Sequence, residues 1–416
     1  MSDGGTGDGG AEPQWSNEAL DQARRRCDPL ADAVIMALEN RRAGGGANMH
    51  NEVLSALYKV RLNDEPWPAQ LPEEVREFGA RVQLPADVDW RRIEIAQGLF
   101  ETFGSEMLLV LGMYALPAAF AAAKGAKAVH ATADLINHPL RRLWETCQFV
   151  VDVLEPGGLA PDGRGVQAAR MVRLFHAQMR FRIRSGHPAG DGRRLQPWDT
   201  ATLGDPINQV DLAGTLTEFG FIVLDGLERL QIGLHAHEKE AFIYLWWLVG
   251  GLLGVEDGLR TDTVARARAL AGRISARQLD PSHEGQELTA KLLTAFAGKV
   301  WLPFRSLPRT FLRHFLARDV YQQRDVAKML GVTSAGWTRV LLPLVQRMSR
   351  WHDNLADRLG TSSWLVRHLS GKFLHLFLST AKTTNRRADF YVPDRLDQEW
   401  RSRSRQKARR RVRPAA

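Results

Sequence analysis

Three side chains that can take part in chemistry share one face of a predicted helix near the middle of the chain. The stretch AARMVRLFHAQMRFRIR, residues 168–184, contains no Gly or Pro, and its apolar residues recur at helical spacing. Arg173, His176 and Arg180 lie three and four positions apart, so a helix brings them to the same side. Because arginine keeps its charge, guanidiniums beside an apolar surface require anionic partners.

Two sources of negative charge are compatible with this helix. Carboxylates from a neighbouring helix are the simpler source, and a lone helical histidine is commonly structural. The alternative is a ligand that offers a metal to the imidazole and anionic groups to the guanidiniums. Haem is such a ligand, with iron for a proximal histidine and propionates for arginines. Under this hypothesis His176 binds the iron, and Arg173 and Arg180 are candidate partners of the propionates.

A second polar cluster lies upstream, in PLRRLWETCQFV, residues 139–150. Arg142, Glu145 and Thr146 occupy positions i, i+3 and i+4, so a helix places them on one face among apolar neighbours. A guanidinium, a carboxylate and a hydroxyl grouped in this way are candidate catalytic residues. The alternative is an ordinary intrahelical Arg–Glu pair that faces water.

Two segments further along the chain predict the elements that position these clusters. In DPINQVDLAGTLTEF, residues 205–219, Asp211 is predicted to cap the start of a helix, and Asn208 and Gln209 lie in the loop that precedes it. The segment EKEAFIYLWWLVGGLLGV, residues 238–255, predicts a very apolar core helix.

The positive charge of the chain belongs to its end. The formal net charge is +9, and residues 401–416 contain eight Lys and Arg and no acid, so the body is close to neutral. The composition therefore predicts no specific nucleic-acid partner, although the tail could contact acidic lipid surfaces weakly. Cys27 and Cys147 form neither a disulfide framework nor a zinc spacing, and the acidic, Gly-rich start lacks the features of a secretory signal. We expect a cytoplasmic protein.

The pattern along the chain predicts an all-α, multi-helix single domain. Helical patterns joined by Gly/Pro loops follow one another, and no period-two alternation is visible. We predict a disordered tail over 1–15, a helical domain over 16–400 with its core at about 90–335, and a disordered basic tail over 401–416. The uncharged run 107–123 is interrupted by Pro117 and predicts buried helical pieces rather than a membrane span. The first helices are predicted at 16–41, 51–61, 73–82 and 89–103.

The segments RRLWET, VRLFHAQMR, PINQVDLAGTLTEF and EAFIYLWWLVGGLLGV follow one another in an order and spacing that resemble the rubber oxygenase and latex-clearing protein family. That family also includes the oxygenase that trims a farnesyl side chain in mycophenolic acid biosynthesis. The resemblance covers roughly residues 95–260, with weaker similarity over 307–331.

The resemblance implies a globin-like helical core and haem b held by one proximal histidine, which is His176 on the matching positions. It implies a haem-dependent dioxygenase that uses dioxygen to cleave a carbon–carbon double bond of an isoprenoid or other apolar substrate. Relatives of latex-clearing protein carry an R-x-x-K-T pattern on the distal side. Here the matching residues are Arg142, Glu145 and Thr146, so a glutamate occupies the lysine position.

Under this hypothesis the other nitrogen of the imidazole needs a hydrogen-bond partner, and Gln209, Asn208 and a backbone carbonyl are the candidates. Arg142 and Thr146 are expected to donate hydrogen bonds to a developing oxygen anion, and Glu145 to act as an acid or base. The substrate pocket is expected among residues 107–120 and 242–253, which are strongly apolar.

Three other functions compete with this hypothesis. Residues 324–340, RDVAKMLGVTSAGWTRV, resemble a helix-turn-helix of a DNA-binding regulator. His235 and His237 with Glu238 and Glu240 offer the ligand types of a non-haem metal site. A haem-free relative that acts as an interaction protein is the third, because a glutamate replaces the family's distal lysine.

Overall fold

The computed structural model describes residues 15–43, 71–132, 134–161, 163–186, 196–298, 303, 305–317, 324–341, 343 and 347. Its α-helices, in chain order, are α1 (Asn17–Ala23), α2 (Pro29–Ala43), α3 (Glu73–Arg81), α4 (Trp90–Val110), α5 (Leu116–Ala121), α6 (Ala123–Ala131), α7 (Asp134–Asn137), α8 (Pro139–Leu154), α9 (Arg164–Arg184), α10 (Thr200–Leu203), α11 (Gln209–Thr217), α12 (Val223–Arg229), α13 (Ala236–Leu252), α14 (Val264–Gln278), α15 (His283–Ala297), α16 (Leu307–Leu316) and α17 (Val326–Met329). Two π-helical segments, π1 (Leu111–Ala115) and π2 (Glu218–Ile222), join α4 to α5 and α11 to α12. Short 3-10 helices span Asp257–Leu259 and Trp337–Leu341.

The all-α single-domain prediction is confirmed. Within the described ranges no strand occurs, and the one β-type contact is an isolated bridge between Ala122 and Leu279. A single cluster of buried apolar side chains runs from Trp15 to Val332, so the described helices share one core.

The N-terminal helix departs from the prediction. Ser16 caps α1 as expected, and its hydroxyl accepts a hydrogen bond from the backbone N–H of Ala19. The predicted single helix over 16–41 is divided, because Pro29 starts a second helix instead of lying inside the first. Trp15, which was assigned to the disordered tail, is buried, and its indole N–H donates to the carbonyl of Gly258 at 2.8 Å. The rest of that tail, the predicted helix over 51–61 and the basic tail lie outside the described residues.

The helical run 90–121 is kinked at Phe103, whose φ of −117° and ψ of 19° are not helical. It packs against α13, and Asp89 caps its start. By length and composition alone this one run could cross a bilayer, but 67% of its most apolar window is buried inside the protein. Burial of that kind is expected of a core helix, and the prediction of buried helical pieces over 107–123 agrees with it.

The helix α9, which carries His176, is held between two others. It packs against α2 on one side and α8 on the other, and it also contacts α13. This arrangement brings the acidic side chains of α2 and the Arg142 cluster of α8 to the same helix.

The helix-turn-helix hypothesis is wrong. After the single turn α17, residues 332–336 are irregular and a 3-10 helix follows at Trp337–Leu341, so no recognition helix forms in this part of the structure.

The non-haem metal site is not present either. Among the described residues no three His, Cys, Asp or Glu side chains are grouped closely enough to hold an ion. Glu238 instead accepts a hydrogen bond from the backbone N–H of His235 at 2.8 Å, as part of the capping box of α13. Glu240 accepts from the backbone N–H of Val264.

Candidate active site

A cavity of about 350 Å³ lies against the middle of α9. Its walls come from π1 and α5, from α6, α8 and α9, from the run α11–π2, and from α14. The lining is mostly apolar, and both π-helical segments contribute to it. Insertions of this kind are rare and recur at functional sites, because the extra residue redirects side chains. The cavity size suits a small organic ligand.

His176 lines this cavity from α9. Its Nδ1 atom is buried and has no hydrogen-bond partner among the described residues. Burial, and after it the positive charges of Arg180 and Arg142, lowers the pKa of the imidazole to about 4. The ring is therefore neutral at physiological pH, and its nitrogen lone pair is free to bind a metal. A buried polar atom without a partner is costly in a folded protein unless a ligand meets it.

Gln209 and Asn208 do not contact the imidazole, so neither supplies the expected hydrogen bond. The amide of Gln209 donates to the carbonyls of Cys27 (2.8 Å) and Gly254 (3.0 Å), and its oxygen accepts from the backbone N–H of Glu256. Gln209 thus connects the start of α11 to two loops, at Cys27 and at 254–256, and lies outside the lining. Asn208, and not Asp211 as predicted, is the N-cap of α11.

Arg173 and Arg180 are paired with carboxylates of the α2 region. Nε and Nη2 of Arg173 bind Asp28 at 2.6 and 2.9 Å, and Nε of Arg180 binds Asp32 at 2.8 Å. Neither arginine lines the cavity. The carboxylate explanation that the sequence left open therefore describes both guanidiniums, and we no longer assign them to propionates.

The Arg173–Asp28 pair leaves no room for a side chain at residue 254. Gly254 has φ +83°, and a Cβ atom there would lie 2.6 Å from both Nε of Arg173 and Oδ2 of Asp28. Glycine is therefore required twice over, for its left-handed backbone and for the close approach of the ion pair.

The α8 cluster is divided by the structure. Arg142 and Thr146 line the cavity, and the guanidinium of Arg142 lies 4.9 Å from the ring centroid of Phe175. Glu145 is buried but does not line the cavity; its carboxylate accepts a hydrogen bond from Arg142. The carboxylate of Glu145 therefore has no access to the cavity, which the predicted role as an acid or base would require. Thr146 already donates its hydroxyl proton to the carbonyl of Arg142 at 3.0 Å, so its oxygen faces the cavity as an acceptor.

The apolar walls agree with the sequence prediction on one side only. Residues of the 107–120 stretch line the cavity as expected, among them Leu111, Leu116 and Phe120. From 242–253 only Leu253 does so, because the rest of α13 is packed into the core. The walls from α11–π2 and α14 were not predicted.

Two acidic side chains line the cavity from the α11–π2 run, seven residues apart and hence on one side of it. Asp211 forms an ion pair with Arg24, with Nη1 to Oδ1 at 3.3 Å, and a capping box with Asn208; burial raises the pKa of its carboxyl, and both partners oppose that rise. Glu218 has no hydrogen bond or ion pair among the described residues, and burial raises the pKa of its carboxyl well above its usual value.

The sequence analysis missed Glu218, although a signal existed. It is the single charged residue between Asp211 and Asp225, and the residues three and four positions away, such as Thr215 and Ile222, cannot neutralise it. An acid that has no local partner in an apolar helix is a candidate functional residue.

The catalytic-domain model of the family described as ER-bound oxygenase mpaB/B'/Rubber oxygenase matches residues 96–369. This chain belongs to that family of oxygenase domains. It is 23% identical over 383 residues to the rubber oxygenase of Streptomyces sp. (strain K30), an alignment that covers 88% of this chain and 85% of that protein.

The fold of this chain is also similar to that of a solved structure. A latex clearing protein in the closed state superposes with a TM-score of 0.68 at 20% identity, over 92% of this chain and all of that one. The family's catalytic domain includes all of the cavity walls described above, from π1 to α14.

Proposed function

We propose that this protein is a haem b-dependent oxygenase that cleaves a carbon–carbon double bond in an apolar, isoprenoid-like substrate. The observation that carries the proposal is the neutral imidazole of His176, which lies against an apolar cavity and whose buried Nδ1 atom has no hydrogen-bond partner among the described residues. Such a group fits the proximal ligand of a haem, which would supply the iron that activates dioxygen.

His176 holds the metal in this proposal. A neutral imidazole binds iron without first losing a proton, and the low pKa keeps it neutral down to mildly acidic pH. Of the haem's other contacts, the propionates need cations or polar donors. Arg142 is the one cationic side chain that the described residues contribute to the lining.

Arg142 also stabilises negative charge that develops on oxygen during the reaction, because a fixed guanidinium in a poorly hydrated cavity acts strongly. Glu145 is a positioning residue: buried beside the guanidinium and hydrogen-bonded to it, it fixes the direction of Arg142. The stack of Arg142 on Phe175 restricts it further. The hydroxyl oxygen of Thr146 can accept a hydrogen bond from a polar group in the cavity.

The remaining walls bind the substrate by excluding water. Leu111, Leu116, Phe120, Phe149 and Ile222 present hydrocarbon and aromatic surface that matches an isoprenoid chain. Exclusion of water also prevents side reactions during the cleavage.

Absorption spectroscopy of the purified full-length protein tests this proposal. Protein from haem-supplied cells is expected to show a Soret band that is lost in His176→Ala. The matched control is His314→Ala: the pKa of His314 is also lowered by burial, but its Nε2 is 3.3 Å from the carbonyl of Arg229 and it does not line the cavity. The control should keep the band.

Colourless wild-type protein would overturn the proposal and favour a haem-free relative that acts through interactions. A Soret band that survives in His176→Ala would show that a residue other than His176 binds the iron. The expectation that the basic tail touches acidic lipid is tested separately, by co-sedimentation of liposomes with the full chain and with a chain that lacks residues 401–416.

A further inference from the structure

The wall of the cavity formed by π2 and α14 contains polar groups that no atom of the described residues satisfies. Glu218 lines it from π2, and Gln278 lines it from α14, which packs against π2. Gln278 is 6% exposed, and its Nε2 has no hydrogen-bond partner among the described residues. Neither group belongs to the cluster of His176, Arg142 and Thr146 described above.

Both groups would be poor choices for binding a pure hydrocarbon. A buried amide N–H and a buried carboxyl each lose free energy when no partner replaces water. A saturated or olefinic chain has no atom that donates or accepts a hydrogen bond. If the cavity held only such chains, leucine and methionine would fill these positions better.

The neutral form of Glu218 fits a ligand oxygen. Burial without any nearby cation favours the protonated carboxylic acid, which has one O–H donor and one carbonyl acceptor. Together with the amide donor of Gln278 it can satisfy a hydroxyl, which both donates and accepts, or a carbonyl, which accepts. An ammonium or another cation is less suitable, because the amide N–H cannot accept from it.

We propose that Glu218 and Gln278 form a polar subsite that binds one hydroxyl or carbonyl oxygen on an otherwise apolar substrate. The subsite lies on the cavity wall formed by π2 and α14, and it selects functionalised isoprenoids over hydrocarbons. The inference rests on the proposed function to the extent that the cavity is the substrate site.

The test compares farnesol, a 15-carbon isoprenoid alcohol, with farnesene, the corresponding hydrocarbon. Affinities are measured with the full-length protein by displacement of a neutral, apolar fluorophore from the cavity. Wild type is expected to bind farnesol at least about tenfold more tightly than farnesene, since one buried hydrogen bond of this kind is worth about one order of magnitude.

Glu218→Leu should remove the preference by weakening farnesol about tenfold while farnesene binds as before or better. Glu218→Gln keeps a donor and an acceptor at the same place and should retain most of it. Gln278→Leu should reduce the preference by a smaller factor. Glu228→Leu is the matched control: it makes the same chemical change on α12, at a half-exposed glutamate outside the lining, and should change neither affinity.

Each outcome bears on a separate claim. Equal binding of the two ligands to wild type, or equal weakening of both by Glu218→Leu, overturns the polar subsite and leaves the oxygenase proposal standing. Displacement of the fluorophore by neither ligand overturns both, because the cavity would not be an isoprenoid site. Thermal melting of each variant separates loss of binding from loss of folding.

Discussion

The two sides of helix α9 carry different kinds of side chain. Val172, Phe175 and Met179 face the cavity, whereas Arg173 and Arg180 lie about a quarter turn away and meet the carboxylates of Asp28 and Asp32. His176 lies at the edge between the two sides and turns to the cavity. On the arginine side every charge has a partner; on the cavity side the imidazole has none among the described residues at Nδ1.

This difference distinguishes polar groups that stabilise the fold from polar groups that are available to a ligand. A paired charge contributes to the assembly of helices, and removing its partner exposes the full cost of a buried ion. An unpaired neutral group contributes little to folding and is available for a ligand. The two sides of one helix therefore predict opposite responses to substitution.

The largest effect is expected on the arginine side, from Asp28→Asn. Asp28 is 3% exposed, binds Arg173 through two hydrogen bonds and accepts a third from the backbone N–H of Ala31. Loss of its charge leaves a buried guanidinium without compensation, which costs about 3–5 kcal/mol of unfolding free energy in comparable pairs. Urea denaturation measures the change. The double variant with Arg173→Met should recover part of the loss, and an effect of Asp28→Asn below about 1 kcal/mol would contradict the comparison.

The second effect is a pH dependence from the cavity side. The pKa of His176 is lowered to about 4 in the folded protein, so below the ordinary value of 6.5 the unfolded chain binds a proton that the folded one does not. In the haem-free protein, stability should therefore fall by about 3 kcal/mol between pH 6.5 and pH 4 on account of this residue alone. In His176→Gln that part of the slope should be missing, whereas His314→Gln should remove less. Identical urea-midpoint profiles for wild type and His176→Gln would show that the imidazole is not buried as described.

The third effect is a pH dependence of the opposite sign, and it comes from the carboxyl of Glu218 in the cavity. Burial raises the pKa of Glu218, so the folded state holds a proton that the unfolded chain releases above pH 4.5. Glu218 therefore lowers stability as the pH rises toward its folded pKa. Glu218→Gln should be more stable than wild type at neutral pH, and the two should converge below pH 4.5. A Glu218→Gln variant that is less stable at neutral pH would indicate a charge partner for the carboxylate.

The smallest effect is expected one turn beyond Arg180. Arg184 continues the arginine side and binds Asp205 at 2.7 Å, but its side chain is 41% exposed. Solvent screens such a pair, so Arg184→Ala should cost no more than about 1 kcal/mol. A loss comparable to that of Asp28→Asn would mean that burial is not what distinguishes these ion pairs.

The sequence predicted the elements well where the local signal is strong. The helix over residues 168–184, the cap at Ser16 and the apolar helix near 238–255 follow from periodicity and capping alone. It failed where long-range contacts decide. Whether Arg173 meets a propionate or a carboxylate depends on Asp28, 145 residues away in the chain, and no spacing rule connects the two.

The sequence by itself determined that this protein is all-helical, that Arg173 and Arg180 lie three and four positions from His176 on one helix, and that a glutamate stands at position 145. The tertiary structure decided which of these groups face the cavity. It paired both arginines with α2, buried Glu145 beside Arg142, and left Glu218 and Gln278 on the cavity wall. The physical reason is that helical periodicity fixes the direction of a side chain about its own axis, whereas its partner is set by which other helix packs there.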